Sequence, residues 1–193
     1  PLHGGVIDPP QEAPVVRARR ADGSVMDLDR ERGQRVVMLF FGYTHCPDVC
    51  PATIGTLGQV LSAGPPGMRA VFVSIDPERD TPAELAKYAT SFEASPERWL
   101  FLTDPTGQKD KIYPLINGSF LMPVQEATGA MRIEGHEFIH TNNILLVDER
   151  GVVQGKWNSI DDASFDQLRR ELRKRYPPKK LDSSKDEGSL KSE

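Results

Sequence analysis

The run Val36-Val37-Met38-Leu39-Phe40-Phe41-Gly42-Tyr43-Thr44-His45-Cys46-Pro47-Asp48-Val49-Cys50-Pro51 leads an apolar segment into a helix-like one through a loop that holds both cysteines of the chain. An unbroken apolar run such as 36–41 suits a central strand covered on both faces. Residues 51–61 then read as helix. Pro51 inside a helix begun at Pro47 would delete a hydrogen bond and clash with the preceding turn. The expectation is therefore a helix starting at Pro51, with Cys50 near its N-cap and Cys46 on the loop before it. A helix N-terminus stabilises negative charge, so both thiols are expected to lean towards thiolate.

Outward from this junction, strand and helix signals alternate. Residues 15–18 and 25–28 flank Ala21-Asp22-Gly23-Ser24, a hairpin signature. Residues 71–75 read as a second buried strand. Thr81-Pro82-Ala83-Glu84 has the cap, N1 and N3 residues of a capping box. Residues 99–102 form a short strand, and Asp104-Pro105 reads as another cap and N1 pair. Residues 144–147 and 152–157 flank the turn Asp148-Glu149-Arg150-Gly151. A last helix over 161–175 puts Phe165, Leu168 and Leu172 on one face. This order predicts an α/β sandwich, with a central mixed sheet, helices on both faces and an added N-terminal β-hairpin. The cysteines then lie at the C-terminal edge of a central strand, where α/β sheets bind ligands. Residues 1–13 are expected to be irregular, 14–176 to form one domain, and 177–193 to be a mobile polar tail.

Composition narrows the function classes. A net charge of −4 over 193 residues argues against a nucleic-acid footprint. The basic residues Arg169, Arg170, Arg173, Lys174 and Arg175 are explained by a solvated helix face near the favourable end of its dipole. No stretch of about 18 apolar residues is present. The chain opens at Pro1 without an initiator Met, which leaves room for a removed targeting or anchor segment.

Two thiols separated by three residues, at a strand–helix junction, point to redox chemistry or to a soft metal. Thioredoxin-type redox motifs place only two residues between the sulfurs. A wider pair still closes a disulfide if its Cα atoms come within about 7 Å. Two thiolates leave an ion under-coordinated, so a third ligand is expected among His45, His136, His140, Asp48 and Asp76. His3 lies in the N-terminal segment and is read as incidental. His45 neighbours Cys46 and should point away from it along an extended segment. His140 precedes the closing hairpin, whose approach brings it towards the first strand–helix junction. Asp76 ends the second buried strand at the same sheet edge.

The segment from Phe40 to Pro51 resembles the signature of the Sco/SenC family of copper-handling proteins. Ser74-Ile75-Asp76-Pro77-Glu78-Arg79-Asp80-Thr81-Pro82 resembles that family's second motif, and His140-Thr141 followed by Ile144-Leu145-Leu146-Val147-Asp148 and Gly151 its third. The resemblance implies a thioredoxin-like fold and copper, as Cu(I) or Cu(II), held by Cys46, Cys50 and His140, with Asp76 and His136 as accessory candidates. It implies a metallochaperone that helps assemble the copper centre of cytochrome c oxidase. The expected partners are a copper-receiving oxidase subunit or another copper chaperone. The expected location is the bacterial periplasm or the mitochondrial intermembrane space, with an N-terminal membrane anchor. The family often has an acidic residue just before its histidine. Here that position is Ile139, and Glu134-Gly135-His136-Glu137-Phe138 supplies a histidine and two carboxylates nearby instead. The rival reading is a thiol–disulfide reductase that stores no copper. A peroxidase fits less well, because no Thr/Arg constellation surrounds a single cysteine, and an inert disulfide in a binding module is the blandest alternative.

Overall fold

The structure, a computed structural model, describes residues 4–12, 17–27, 37–119 and 122–177. His3, Val15, Val16, Leu28, Val36 and the tail from 178 onwards lie outside the described residues. A mixed sheet runs in the order β1 (Gly4–Glu12), β10 (Val152–Asn158), β9 (Asn143–Val147), β4 (Val37–Gly42), β5 (Arg69–Ser74), β6 (Trp99–Thr103), β2 (Arg17–Arg20), β3 (Val25–Asp27). The strands β4, β5 and β6 are parallel, and β9, β10 and β1 continue the sheet antiparallel. The expected α/β class and mixed sheet are both present. The hairpin β2–β3 is an addition that docks on the outer edge of β6.

Residues in register on neighbouring strands share a face. Phe40, Phe72 and Phe101 are such a row, and Phe72 meets Tyr88 of α2 (Pro82–Ser91) at a ring distance of 5.8 Å. The steps β4→β5→β6 run in one direction, so right-handed crossovers put α1 (Val49–Ala63) and α2 on this same face. The turn that leads into α4 (Asp162–Arg175) meets α1, where the Thr53 hydroxyl donates to Ser159 at 2.8 Å. The other face is covered by α3 (Lys109–Pro114), the π-helical turn Leu115–Ser119 and a two-stranded arm, β7 (Val124–Glu126) and β8 (Phe138–His140). Their Ile112, Ile116, Met122, Val124 and Phe138 are buried in the core. Burying each large side chain of this kind is worth about 1.5–3 kcal/mol.

Four expectations need correction. The first residues are not irregular: Gly4–Glu12 form edge strand β1, and a register break between Val6 and Gln11 spans Pro9 and Pro10, which an edge strand tolerates. Gly155 permits this close pairing, since a Cβ there would lie 2.6 Å from the Gly5 carbonyl. Helix α1 begins at Val49, not Pro51, with Asp48 as N-cap. Pro51 then occupies N3, where its missing N–H has no helical partner to lose. Asp104 caps a turn rather than a helix, accepting from Thr106 N at 2.8 Å, and α3 starts only at Lys109. The box at Thr81 is half made: Thr81 accepts from Glu84 N at 3.3 Å, while the Glu84 carboxylate pairs with Lys87.

Candidate metal and redox site

Strand β4 ends at Gly42, and the loop 43–48 carries the chain over the sheet edge into α1. Gly42 is required by packing: a Cβ there would lie 2.8 Å from the Cys50 sulfur and 2.9 Å from the Phe72 ring. Asp80, fully buried, pins the loop from below. It accepts from the Thr44 backbone at 3.2 Å, from the Thr44 hydroxyl at 2.6 Å and from Ser74 at 2.6 Å. Burial raises the pKa of its carboxyl.

Both cysteines are buried and unbridged. The Cys50 backbone donates to the Cys46 sulfur at 3.5 Å. The Cys50 thiol also donates to it, which is the first cause that brings the Cys46 pKa down from 9.0 to about 4, against the opposing effect of burial. A hydrogen bond from His140 and the backbone N–H groups of Cys50 and Asp48 add to the effect. Cys50 moves the other way, because its proton is held by Cys46 and its surroundings are dry. The expectation of two thiols leaning towards thiolate is therefore half met. A buried pair shares one proton, and the sulfur nearer the loop keeps the charge.

His140 reaches Cys46 from the arm, far along the chain. Its Nδ1 lies 3.0 Å from the Thr141 carbonyl. A carbonyl only accepts, so Nδ1 carries a proton there, and Nε2 is the nitrogen available to Cys46. Its ring stands edge-on to Tyr43 at 5.7 Å. Tyr43, buried at the loop's start, also meets Phe138 at 4.9 Å and donates to the Gly135 carbonyl at 2.7 Å. The Gly135 turn rests on Pro47, with a Cβ position 3.2 Å away.

The other candidates fall elsewhere. His136 is exposed on the Gly135 turn, its backbone N bonded to Ile133. Asp76 is buried and engaged by Arg79, with Lys109 at 3.9 Å. His45 Nδ1 lies 3.1 Å from Thr44 Oγ1 and 4.0 Å from the Asp80 carboxylate. Ligand atoms of His45, Asp76 and Asp80 lie within 4.8 Å of one another. Asp48 serves as the helix cap, accepting from Val49 N at 2.6 Å. Two roles went unnoticed in the sequence: that of Tyr43, just past the apolar run, and the ion pair of Arg79 with Glu137 at 3.0 Å.

The SCO1/SenC family model matches residues 19–175. The chain belongs to that family. Among relatives, the SCO1 protein homologue of Bacillus subtilis is 28% identical over 150 residues, which is 76% of this chain and 74% of that protein. The mitochondrial SCO2 homologue of Bos taurus is 46% identical over 66 residues, 32% of this chain. This chain spans about a quarter of the bovine protein's length (24%). Among solved structures, the copper-bound ScoI of Bradyrhizobium japonicum has a TM-score of 0.66 and 27% identity, covering 86% of this chain and 99% of that one. BsSco, a Sco-family cytochrome c oxidase assembly protein with a disulfide switch, has a TM-score of 0.69 and 25% identity, covering 87% of this chain and 95% of that one. Among the described residues of this Sco/SenC chain, no helix is long and apolar enough to cross a membrane.

Proposed function

We propose that this chain is a copper metallochaperone, holding copper through Cys46, Cys50 and His140 and passing it to cysteines of a partner during assembly of the copper centre of cytochrome c oxidase. The observation that supports this reading is the hydrogen bond between His140 and the Cys46 sulfur, which also accepts from Cys50. A thiolate, a thiol that can lose its shared proton, and an imidazole with its other nitrogen already hydrogen-bonded make a soft, mixed sulfur–nitrogen donor set. That set suits Cu(I), with Cu(II) accepted if a further oxygen or nitrogen joins, Asp76 or His136 being the accessory candidates. Three donors leave one side open, from which a partner's thiolates take over the ion one at a time. The location that accompanies this reading is extracytoplasmic.

A second reading is favoured by the low Cys46 pKa beside a buried Cys50 thiol. The Cys46 thiolate attacks one sulfur of a partner disulfide, and the other leaves as thiolate. Cys50 then gives up its proton and attacks Cys46, closing the internal disulfide and releasing the partner as a dithiol, so two electrons pass to the partner. One experiment separates the readings. Titrating the reduced protein with Cu(I) should show one tightly held ion, lost or strongly weakened in His140→Ala, while thiol exchange survives in that variant. No copper uptake by the reduced wild-type protein would leave only the reductase.

A further inference from the structure

We propose that the Arg79–Glu137 ion pair is a latch that holds the β7–β8 arm, and with it His140, against the sulfur pair, making Arg79 and Glu137 positioning residues for copper retention. This rests on His140 being a ligand, as proposed above. Arg79 stands just after Asp76, at the sheet edge that carries the thiols. Its Nε engages Asp76, and its Nη1 donates to Glu137 Oε1 at 3.0 Å. Asp76 lies two residues past the end of β5, whereas Glu137 immediately precedes β8, the arm strand that ends at His140. One guanidinium thus ties the sheet to the arm. Both carboxylates are buried, and the Glu137 carboxyl is held below the usual range by Arg79 first of all.

The same guanidinium lies 6.0 Å from the centre of the Phe138 ring, with the Lys109 ammonium at 5.4 Å. Phe138 in turn packs on Tyr43, and Tyr43 on His140. Contact therefore runs without a break from Arg79 to the imidazole. Ile139 beside His140 is uncharged and 44% exposed, so Glu137 is the carboxylate through which this strand is tethered.

The latch is incomplete in a telling way. Arg79 Nη2 and Glu137 Oε2 are both buried without a hydrogen-bond partner. A guanidinium and a carboxylate reach full strength when two parallel bonds form. Here one Arg79–Glu137 bond forms, at 3.0 Å, so the pair stays below its two-bonded strength. The closed arm is held at less than the strength this pair can deliver, as suits a ligand that must let its ion go.

The test uses the full reduced chain and Cu(I), partitioned against a chromophoric chelator, with Arg79→Met, Glu137→Gln, the double variant, Arg79→Lys and His140→Ala. Each latch single should weaken Cu(I) binding about 10-fold, as disturbing a residue that supports a ligand does. The double variant should be no worse than either single, because the two act as one device. Arg79→Lys should recover little, since an ammonium cannot span Asp76 and Glu137 with a rigid fork. Amide exchange of 124–140 should quicken while that of α1 does not. Unchanged affinity in Glu137→Gln, or losses that add in the double variant, would overturn the latch. If His140→Ala also binds like the wild type, the ligand reading itself fails. If His140→Ala is weak and Glu137→Gln is not, only the latch fails. Should Arg79→Met not fold, Glu137→Gln, close to isosteric, decides the matter alone.

Discussion

The thiol loop and the histidine arm place their ligands by different physics. Cys46 and Cys50 ride on the central strand β4, flanked by β5 and β9, and on the first turn of a helix, with Asp80 and a tight Gly42 contact leaving the sulfurs little freedom. His140 ends a short strand whose only strand partner among the described residues is β7, and that arm is secured by side chains, among them the Tyr43 hydroxyl, the Phe138 ring, Arg79, Lys109 on Glu126 and Asn117 on Val124. A backbone ladder opens cooperatively and seldom, while a few side-chain contacts let go locally. The contrast teaches that the sulfurs form a fixed floor and the imidazole a movable wall.

That contrast can be attacked at several points. The broadest effect is expected from pH on the dithiol form. Cys46 titrates at about 4 in the folded chain against 9.0 ordinarily, through the Cys50 hydrogen bond. Between those values the unfolded chain binds more protons, so stability should climb as pH rises through that window and fall away as pH drops towards 4. Cys50, raised by the same bond, acts in the opposite sense above its ordinary value. Urea unfolding across pH should show the climb in the wild type and its loss in Cys46→Ser. A flat profile in the wild type would deny the floor its charge.

Next in size is Phe138→Ala. Removing a buried ring should cost about 3–5 kcal/mol in urea unfolding and detach the arm. A loss under about 1 kcal/mol would mean the arm does not rest on that ring. Gly42→Ala should cost about 1–3 kcal/mol, because the added methyl meets the Cys50 sulfur and two rings. It should also move the pH midpoint of Cys46 alkylation upwards by displacing the donor thiol, and an unmoved midpoint would show that the sulfurs tolerate the shift. The mildest change is Tyr43→Phe. Loss of one hydrogen bond to Gly135 should cost about 0.5–1.5 kcal/mol. Its signature is faster amide exchange in the arm but not in α1, and equal acceleration of both would erase the distinction between floor and wall.

Much of this site was readable in one dimension. The apolar run before the cysteines, the Gly151 turn and the Thr81 cap are local patterns, and each one folded as strand, turn or helix start. Helix α1 began earlier than Pro51 suggested, because proline is harmless anywhere in the first turn and Asp48 was free to cap. Strand β1 was missed because prolines and glycines mask an edge strand whose pairing comes from β10. The arm was missed because two strands of three residues carry too little periodicity to be seen.

Local order along the chain, apolar runs broken by caps and glycines, was enough to set the α/β class and to put two thiols at a strand end. Those features depend on neighbours within a few residues, where sterics and hydrogen bonding act directly. Which sulfur keeps the charge, how His140 is steered to it and what Arg79 grips arose only on folding. Each of those depends on burial and on partners distant in sequence, and neither exists until the sheet, the helix and the arm have closed on one another.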